Sequence, residues 1–429
     1  MKIIASTERG FRPAVKKVLS RSSLQGDKVE ATVRSILKGV ERGGDAAVSR
    51  YTQKFDKVSV KPEAFRILPD QMREAYYKIR KEDGDALRYA AHRITSFHER
   101  QKGAARTWMY QDGSITLGQT ILPLDAVGLY VPGGKAVYPS SVLMSAIPAK
   151  VAGVRRIVMC SPAPRGEMSP YLLVAADIAG VDEVYRIGGV QAIGAMTYGT
   201  KTIARVDKII GPGNIFVATA KRLVYGLVDV DMIAGPSELL VLADGGANPV
   251  HVAADLICEA EHDENASVWL VTTSPELARE VVKRVHEQLK SLARQKIAGR
   301  AIQHNAVAFV VPGIDEGIAL ANEIAPEHLT LSVENPFKYI EKVRHAGALF
   351  IGRYTAPAVA DYVAGPNHIL PTGGAARFHS ALSLDAYMRK SNIVSYTKDD
   401  LYNIKDHVIR LAQMEGFEAH AQSLEVRLK

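Results

Sequence analysis

Cysteine is nearly absent: Cys160 and Cys258 are the only two in 429 residues. Two thiols cannot build a disulfide framework or a thiolate zinc cluster, which points to a reducing compartment and to His and carboxylate ligands for any metal. Long hydrophobic runs are missing too. No window approaches the ~18 uninterrupted apolar residues of a membrane span, and the opening MKIIASTERGFRPAVKKVLS has neither the apolar stretch nor the small-residue cleavage site of a signal peptide. A cytoplasmic location without membrane partners is expected. Charge of one sign never accumulates, although the formal net charge is +8. Basic residues alternate with acids, as in KVEATVRSILKGVERGGD and KIRKEDGDALRYAAHR, and read as solvated helix faces. Without a basic surface or a recognisable module, nucleic acid is not expected as a partner, whereas a modest positive field suits anionic ligands such as a dinucleotide. Low-complexity segments and short repeats are also lacking.

What is present is a chain about half apolar, long enough to divide into two or more domains, because single cores stop growing at roughly 250 to 300 residues. Residues from about 27 to 103 show helical periodicity, broken at Gly43-Gly44. From about 125, short β-rich runs alternate with helical ones: AVGLYV, RIVMC, EVYRI and KIIG, then ELLVLAD, SVWLVTT, AVAFVV, LTLSV and ALFIG. This alternation predicts parallel sheets covered by helices, in two series, each a partial doubly wound unit. After about 380 a helical tail is expected.

Three clusters carry chemistry. In ICEAEHDENA, a helix over about 249–263 places Asp255, Glu259 and His262 along one side, so that Glu259 and His262, three apart, can reach one ion. The same residues also suit an ordinary helix end, where a histidine is favourable to the dipole. In APEHL, Glu327 and His328 stand at the boundary of the strand LTLSV. A Glu-His pair at the end of a strand in an open α/β unit sits where such folds place ligands, and the two suit proton transfer. A surface histidine after a helix-terminating turn is the plainer alternative. In DYVAGPNH, glycines bracket Asp361 and His368 in a loop. Glu415 and His420 in the tail form a further, isolated pair.

Three glycine turns, VPGGKAVYPSS, IGGVQAIG and IIGPGNIF, follow predicted strands and precede predicted helices. Their free backbone N–H groups can meet phosphate, though none has the G-x-G-x-x-G or G-x-x-x-x-G-K-[ST] pattern. The absence of H-E-x-x-H counts against a zincin protease.

Taken in order, YVPGGKAVYPSSVLM, GGVQAIGAMTYGT, VDKIIGPGN, DMIAGPSELLVLAD, AEH, APEHL, AGALFIGRYTAPAVADYVAGPNHILPTGG and EGFEAH resemble the histidinol dehydrogenases over nearly the whole chain. The resemblance implies a homodimeric enzyme of histidine biosynthesis that oxidises L-histidinol to L-histidine through an aldehyde, using zinc and NAD. It implies zinc ligands Glu259, His262, Asp361 and, from the partner subunit's C-terminal arm, the residue at His420. It also implies substrate contacts from Ser237, Glu259, His262, His328, Asp361, His368, Glu415 and His420, NAD contacts from Tyr130, Gln191 and Asn214, and acid/base roles for Glu327 and His328. The first zinc ligand of the family is an amide, and here it is the carboxylate of Glu259, which makes the ion's surroundings one charge more negative. The implied fold is two incomplete Rossmann-like doubly wound units with N-terminal helices and a helical C-terminal arm. The implied division is an N-terminal segment 1–27, a zinc and substrate domain 28–127 plus 239–380, an NAD domain 128–238, and an arm 381–429 that crosses to the partner. The alternatives are a paralogue oxidising another small alcohol such as a sulfonated diol, and a zinc hydrolase in which Glu327 or Glu261 activates water.

Overall fold

The computed structural model describes residues 1–22, 27–103, 105–133 and 136–429. Gly134 and Lys135 of the VPGGKAVYPSS turn therefore lie outside the described residues. The chain begins with β1 (Lys2–Ala5), α1 (Phe11–Leu19), α2 (Asp27–Asp56), β2 (Arg66–Ile67), α3 (Pro69–Tyr76), α4 (Lys81–Lys102), β3 (Trp108–Asp112) and β4 (Ile115–Pro123). A first α/β series follows: β5 (Ala126–Tyr130), α5 (Pro139–Ala152), β6 (Arg156–Cys160), α6 (Pro170–Ala179), β7 (Glu183–Tyr185), α7 (Gly189–Tyr198), β8 (Lys208–Ile210), α8 (Ile215–Val224) and β9 (Asp229–Val230). The second series comprises β10 (Glu238–Ala243), α9 (Pro249–Ala260), β11 (Ser267–Thr272), α10 (Pro275–Leu289), α11 (Gln295–Asn305), β12 (Ala306–Val310), α12 (Ile314–Ile324), β13 (His328–Ser332), β14 (Ala348–Ile351) and α13 (Pro357–Tyr362). The arm holds β15 (Met388–Ser395), α14 (Lys398–Met414) and α15 (Glu418–Leu428).

Both series form six-stranded sheets, in the orders β2-β7-β6-β5-β8-β9 and β1-β12-β11-β10-β13-β14. In each, the first strand of the series lies centrally, the next two extend to one side and the last two to the other, which is the doubly wound arrangement with one topological switch point. The strands are nearly continuous apolar runs because both faces are covered. In β10, for example, no position alternates to solvent: Glu238–Ala243 is buried throughout. All neighbours within the series pair in parallel, and only the edge strand β2 runs antiparallel, to β7.

Helices α2, α3 and α4 pack on the first α/β series. Here α2 packs on α7 and α8, α3 on α6, α4 on α5 and α6, and β2 extends the sheet of the first series. The cause lies in α5 and α7. Val190–Thr197 of α7 are all buried, as is nearly all of α5, so each has no solvent face and needs a second helical layer over it. The amphipathic helices α2 and α4 supply that layer: Val33, Ile36, Leu37 and Val40 join one core cluster, and Ala90, Ala91 and Ile94 another. The expected break at Gly43-Gly44 is present as a kink, with Gly44 at φ 49°.

Both termini also contribute strands. The 1–27 segment contributes β1, which pairs in parallel with β12. The region after 380, expected to be helical, first forms β15, which joins β4 and β3 in a three-stranded antiparallel sheet before the helices begin. Among the described residues, no helix is long and apolar enough to cross a membrane.

Candidate active site

The APEHL pair lies at the amino ends of the strands. His328 opens β13 and Glu327 precedes it, beside Glu238 at the start of β10. That is the edge opposite the carboxyl-end crevice in which doubly wound sheets bind ligands, so the expectation from strand position is corrected. The reason is topological: α9 runs back from β10, and its C-terminus delivers Glu259 to the amino edge of the sheet. A helix C-terminus carries partial negative charge and favours cations, whereas a carboxyl edge would offer helix N-termini. The helix itself ends at Ala260, so His262 sits in the following turn and not on the helix face.

Glu259, Glu327 and His328 are 2%, 6% and 4% exposed. Each offers a ligand atom within 4.8 Å of the others. The Glu238 peptide orders the pair from both sides. Its N–H donates to Glu327 Oε2 at 2.8 Å, and its carbonyl lies 2.9 Å from His328 Nδ1. A carbonyl can only accept, so Nδ1 carries the proton and Nε2 is left as the basic nitrogen. His328 Nδ1 is also 3.4 Å from Glu259 Oε2 and 3.7 Å from Glu327 Oε2. Phe350 stacks against the ring at 5.7 Å between centroids.

Glu259 Oε1 lies 3.1 Å from His262 Nδ1 but forms no well-aligned hydrogen bond, and it is buried. Burial pushes the Glu259 carboxyl up, yet the rings of His328 and His262 and the Ser237 hydroxyl hold it below the ordinary carboxylate range. Burial pulls His262 down, but the Glu259 carboxylate, joined by Asp361 and Glu261, raises it to about 9. Glu327 is raised well above its ordinary value, first by burial and then by the charge of Glu259. The two buried carboxylates thus shift in opposite directions: Glu259 is held down by the imidazoles, and Glu327 is raised.

Asp361, in α13, interacts electrostatically with Glu259, His262, His328 and His368, and burial raises its carboxyl. His368 donates from Nδ1 to the Asp361 carbonyl at 2.8 Å, and its Nε2 is 3.5 Å from Ser141 Oγ. Burial lowers its imidazole. This loop is fixed by a proline in another element. Pro148 lacks the N–H that would bond the Met144 carbonyl in α5. Asn367 Nδ2 takes that carbonyl at 2.6 Å, and Asn367 Oδ1 accepts from Ile369 N. The site consequently lies where the second α/β series meets the first turn of α5 in the first.

The residues expected at the dinucleotide follow the other sheet's carboxyl edge. Tyr130 ends β5, Gln191 is in the first turn of α7, and Asn214 caps α8 by accepting from Phe216 N and Val217 N. β5 and β8 are neighbours at the switch point. Tyr130 is buried and its hydroxyl accepts from Gly189 N at 3.1 Å, while Gln191 Nε2 is buried without a partner and Asn214 is exposed. Gly211 has φ 117°, and any Cβ there would collide with the Tyr130 carbonyl. Glycine is therefore required for this turn to approach the end of β5.

Glu415 and His420 are not brought to this cluster within the chain. Glu415 follows α14, His420 is near the start of α15 and stacks on Phe417, and both are exposed. The arm is tied to the body through the pairing of β15 with β4 and through Ser114 to Asp400. Sequence reasoning missed Glu238 and Arg21, whose ion pair stands behind the Glu327–His328 pair. The only signal was an acid at the head of an otherwise apolar strand.

A buried proton-transfer pair beside a carboxylate and imidazole set, placed between two doubly wound units, defines an α/β enzyme. The histidinol dehydrogenase family model matches residues 19–428. The histidinol dehydrogenase of Syntrophotalea carbinolica is 46% identical over 100% of this chain and 99% of that protein, and that of Geobacter metallireducens is 47% identical over 100% and 98%. The crystal structure of histidinol dehydrogenase from Elizabethkingia anophelis superposes with a TM-score of 0.93 at 35% identity, covering 100% of this chain and 98% of that one. The chain belongs to the histidinol dehydrogenase family, a family of oxidoreductases.

Proposed function

We propose that the chain carries out the four-electron oxidation of L-histidinol to L-histidine through an aldehyde, with NAD as hydride acceptor and zinc bound at Glu259, His262 and Asp361. The observation that carries this reading is geometric: Glu259, Glu327 and His328 are buried together with ligand atoms within 4.8 Å of one another, and the Glu238 peptide orders Glu327 and His328 from both sides. Carboxylate and imidazole donors suit zinc. Glu259 Oε1 is a buried oxygen without a good partner, facing a His262 ring that takes up a proton to supply the missing positive charge. The Nδ1 proton of His328 is committed to the Glu238 carbonyl, which removes that nitrogen from the ligand set and favours the Glu259 and His262 side for the ion. When bound, zinc would grip the imidazole and amine of the substrate, and NAD would accept hydride from its carbinol carbon.

The remaining work falls to this chain's residues. His328, with Nε2 free, takes the carbinol proton in the first oxidation and the hydrate proton in the second. Glu327 handles the water needed to hydrate the aldehyde, its carboxyl raised above the ordinary carboxylate range by burial and by the neighbouring Glu259 charge. His368 and Ser237 orient the substrate. Gln191 Nε2 and Asn214 face the carboxyl edge where a dinucleotide would lie, next to the N-termini of α7 and α8.

Glu415 and His420 of the arm are proposed to reach the partner subunit's site and complete it. The exposed apolar residues Leu411, Met414 and Phe417 on the arm, and Trp108 and Met109 on β3, support a paired state that covers them. The decisive assay adds histidinol and NAD to the zinc-loaded protein and follows NADH absorbance and product. Two NADH per histidine formed are expected, with loss of activity on chelation and recovery with zinc. An aldehyde end product, or turnover without NAD, would refute the reading.

A further inference from the structure

We propose that Arg21 is a positioning residue for the His328–Glu327 pair, acting through Glu238. The inference rests on the proton-transfer roles proposed above. Arg21 arrives from the N-terminal segment, 217 positions from its partner in sequence. Its Nε and Nη2 grip the two Glu238 oxygens at 2.6 and 2.9 Å, a bidentate fork. Two further bonds hold the guanidinium: Nη1 donates to the Val18 carbonyl at 3.0 Å and Nη2 to the Ile324 carbonyl at 2.9 Å. The guanidinium lies 4.9 Å from the centre of the Trp269 ring. Side-chain exposure is 11% for Arg21 and 4% for Glu238, so the pair is shielded from water.

The position of this fork is what gives it a role. The Glu238 side chain is held by Arg21 and by Gly373 N at 2.8 Å, while the peptide groups of the same residue donate to Glu327 and accept from His328. Ile324, whose carbonyl Arg21 holds, ends the helix three residues before Glu327, with Ala325 between them at φ 51°. Arg21 therefore fixes both chain segments that carry the pair, and through Gly373 it ties them to the loop bearing His368. The consequence is a single His328 tautomer with Nε2 unprotonated. Lysine would keep the charge but could not span both oxygens and the Ile324 carbonyl at once.

The test compares Arg21→Lys and the isosteric Glu238→Gln with His328→Asn, Glu327→Gln and a surface control, Arg12→Met, whose fork to Glu323 is exposed. Each variant is assayed as the zinc-loaded protein with histidinol and NAD, and the His328 tautomer is read by nitrogen-15 NMR. Arg21→Lys should lower kcat about 10- to 100-fold with KM for histidinol little changed. Glu238→Gln should lower it in the same sense, and both should show an Nε2-protonated fraction of His328 absent from the parent; Arg12→Met should match the parent. Parent kcat per folded site and an unchanged tautomer in both variants, even with reduced thermal stability, would overturn the positioning role while leaving the acid/base assignment intact. Parent-like turnover in both His328→Asn and Glu327→Gln would overturn the assignment and the proposal with it.

Discussion

Asp231→Asn should strip the counter-charge from a buried lysine and cost a large share of the protein's stability. Lys221 and Asp231 have side-chain exposures of 3% and 1%. The ammonium bonds the Asp231 carboxylate and, at 2.8 Å, the Gly211 carbonyl, while the other carboxylate oxygen accepts from Gly211 N at 2.8 Å. The pair thus clamps both sides of the Gly211 peptide, in the turn leading to Asn214. Removing one partner of a buried pair leaves the other charge uncompensated, at about 3 to 5 kcal/mol. Against a total of roughly 5 to 15 kcal/mol for a folded domain, that is a substantial fraction. Lys221→Met should cost a similar amount by exposing the opposite charge. The double variant Lys221→Met/Asp231→Asn holds no charge, and its asparagine oxygen can still accept from Gly211 N. It should therefore be more stable than either single variant. Urea unfolding at neutral pH, with midpoints and slopes for all four proteins, measures the cycle. Additive losses in the double variant would refute the reasoning, because they would mean the two charges never depended on each other. If Gly211–Asn214 holds the dinucleotide, KM for NAD should rise in the single variants as well.

Three further outcomes are expected. Glu327→Gln should slow acid formation from supplied aldehyde at least tenfold more than it slows alcohol oxidation, whereas His328→Asn should slow both; equal losses in the two assays for Glu327→Gln would remove it from water activation. In the metal-free protein, His262 is raised to about 9, so the stability it contributes is complete below the unfolded imidazole pKa of ~6.5 and is lost as pH rises through about 9. Melting temperature of chelator-treated protein against pH should fall across that window, and Glu259→Gln should flatten the fall. Mixing His328→Asn and His420→Asn variants, each inactive alone, should restore part of the activity once subunits exchange; no recovery despite exchange would mean that each chain completes its own site.

Local pattern carried much of this protein into the sequence. Nine of the ten strands of the two α/β series were legible because their apolar runs are bounded by glycine turns and alternate with helical periodicity, the exception being the two-residue β9. The Glu259 and His262 spacing was legible as well, since residues three apart at a helix end remain neighbours whatever the rest of the chain does. What periodicity cannot carry is pairing between distant segments. β1 lies against β12, β15 against β4, and Arg21 against Glu238, each separated by more than 200 residues. The polar strand β15 has no alternating apolar face to announce it, and the amphipathic stripe of α2 does not state which sheet it will cover. The edge of the sheet that bears the site was equally hidden, because it depends on where α9 ends relative to β13.

By itself, then, the sequence determined most elements of the two α/β series, their alternating order and the residue types able to bind an ion or move a proton, because those follow from short-range geometry and side-chain chemistry. Only tertiary structure decided that the Glu259 carboxyl is held down while the Glu327 carboxyl is raised, and that His328 is fixed in one tautomer. Those properties arise from burial and from groups that long-range folding brings within a few ångströms, and desolvation and Coulomb interactions act through space without regard to position along the chain.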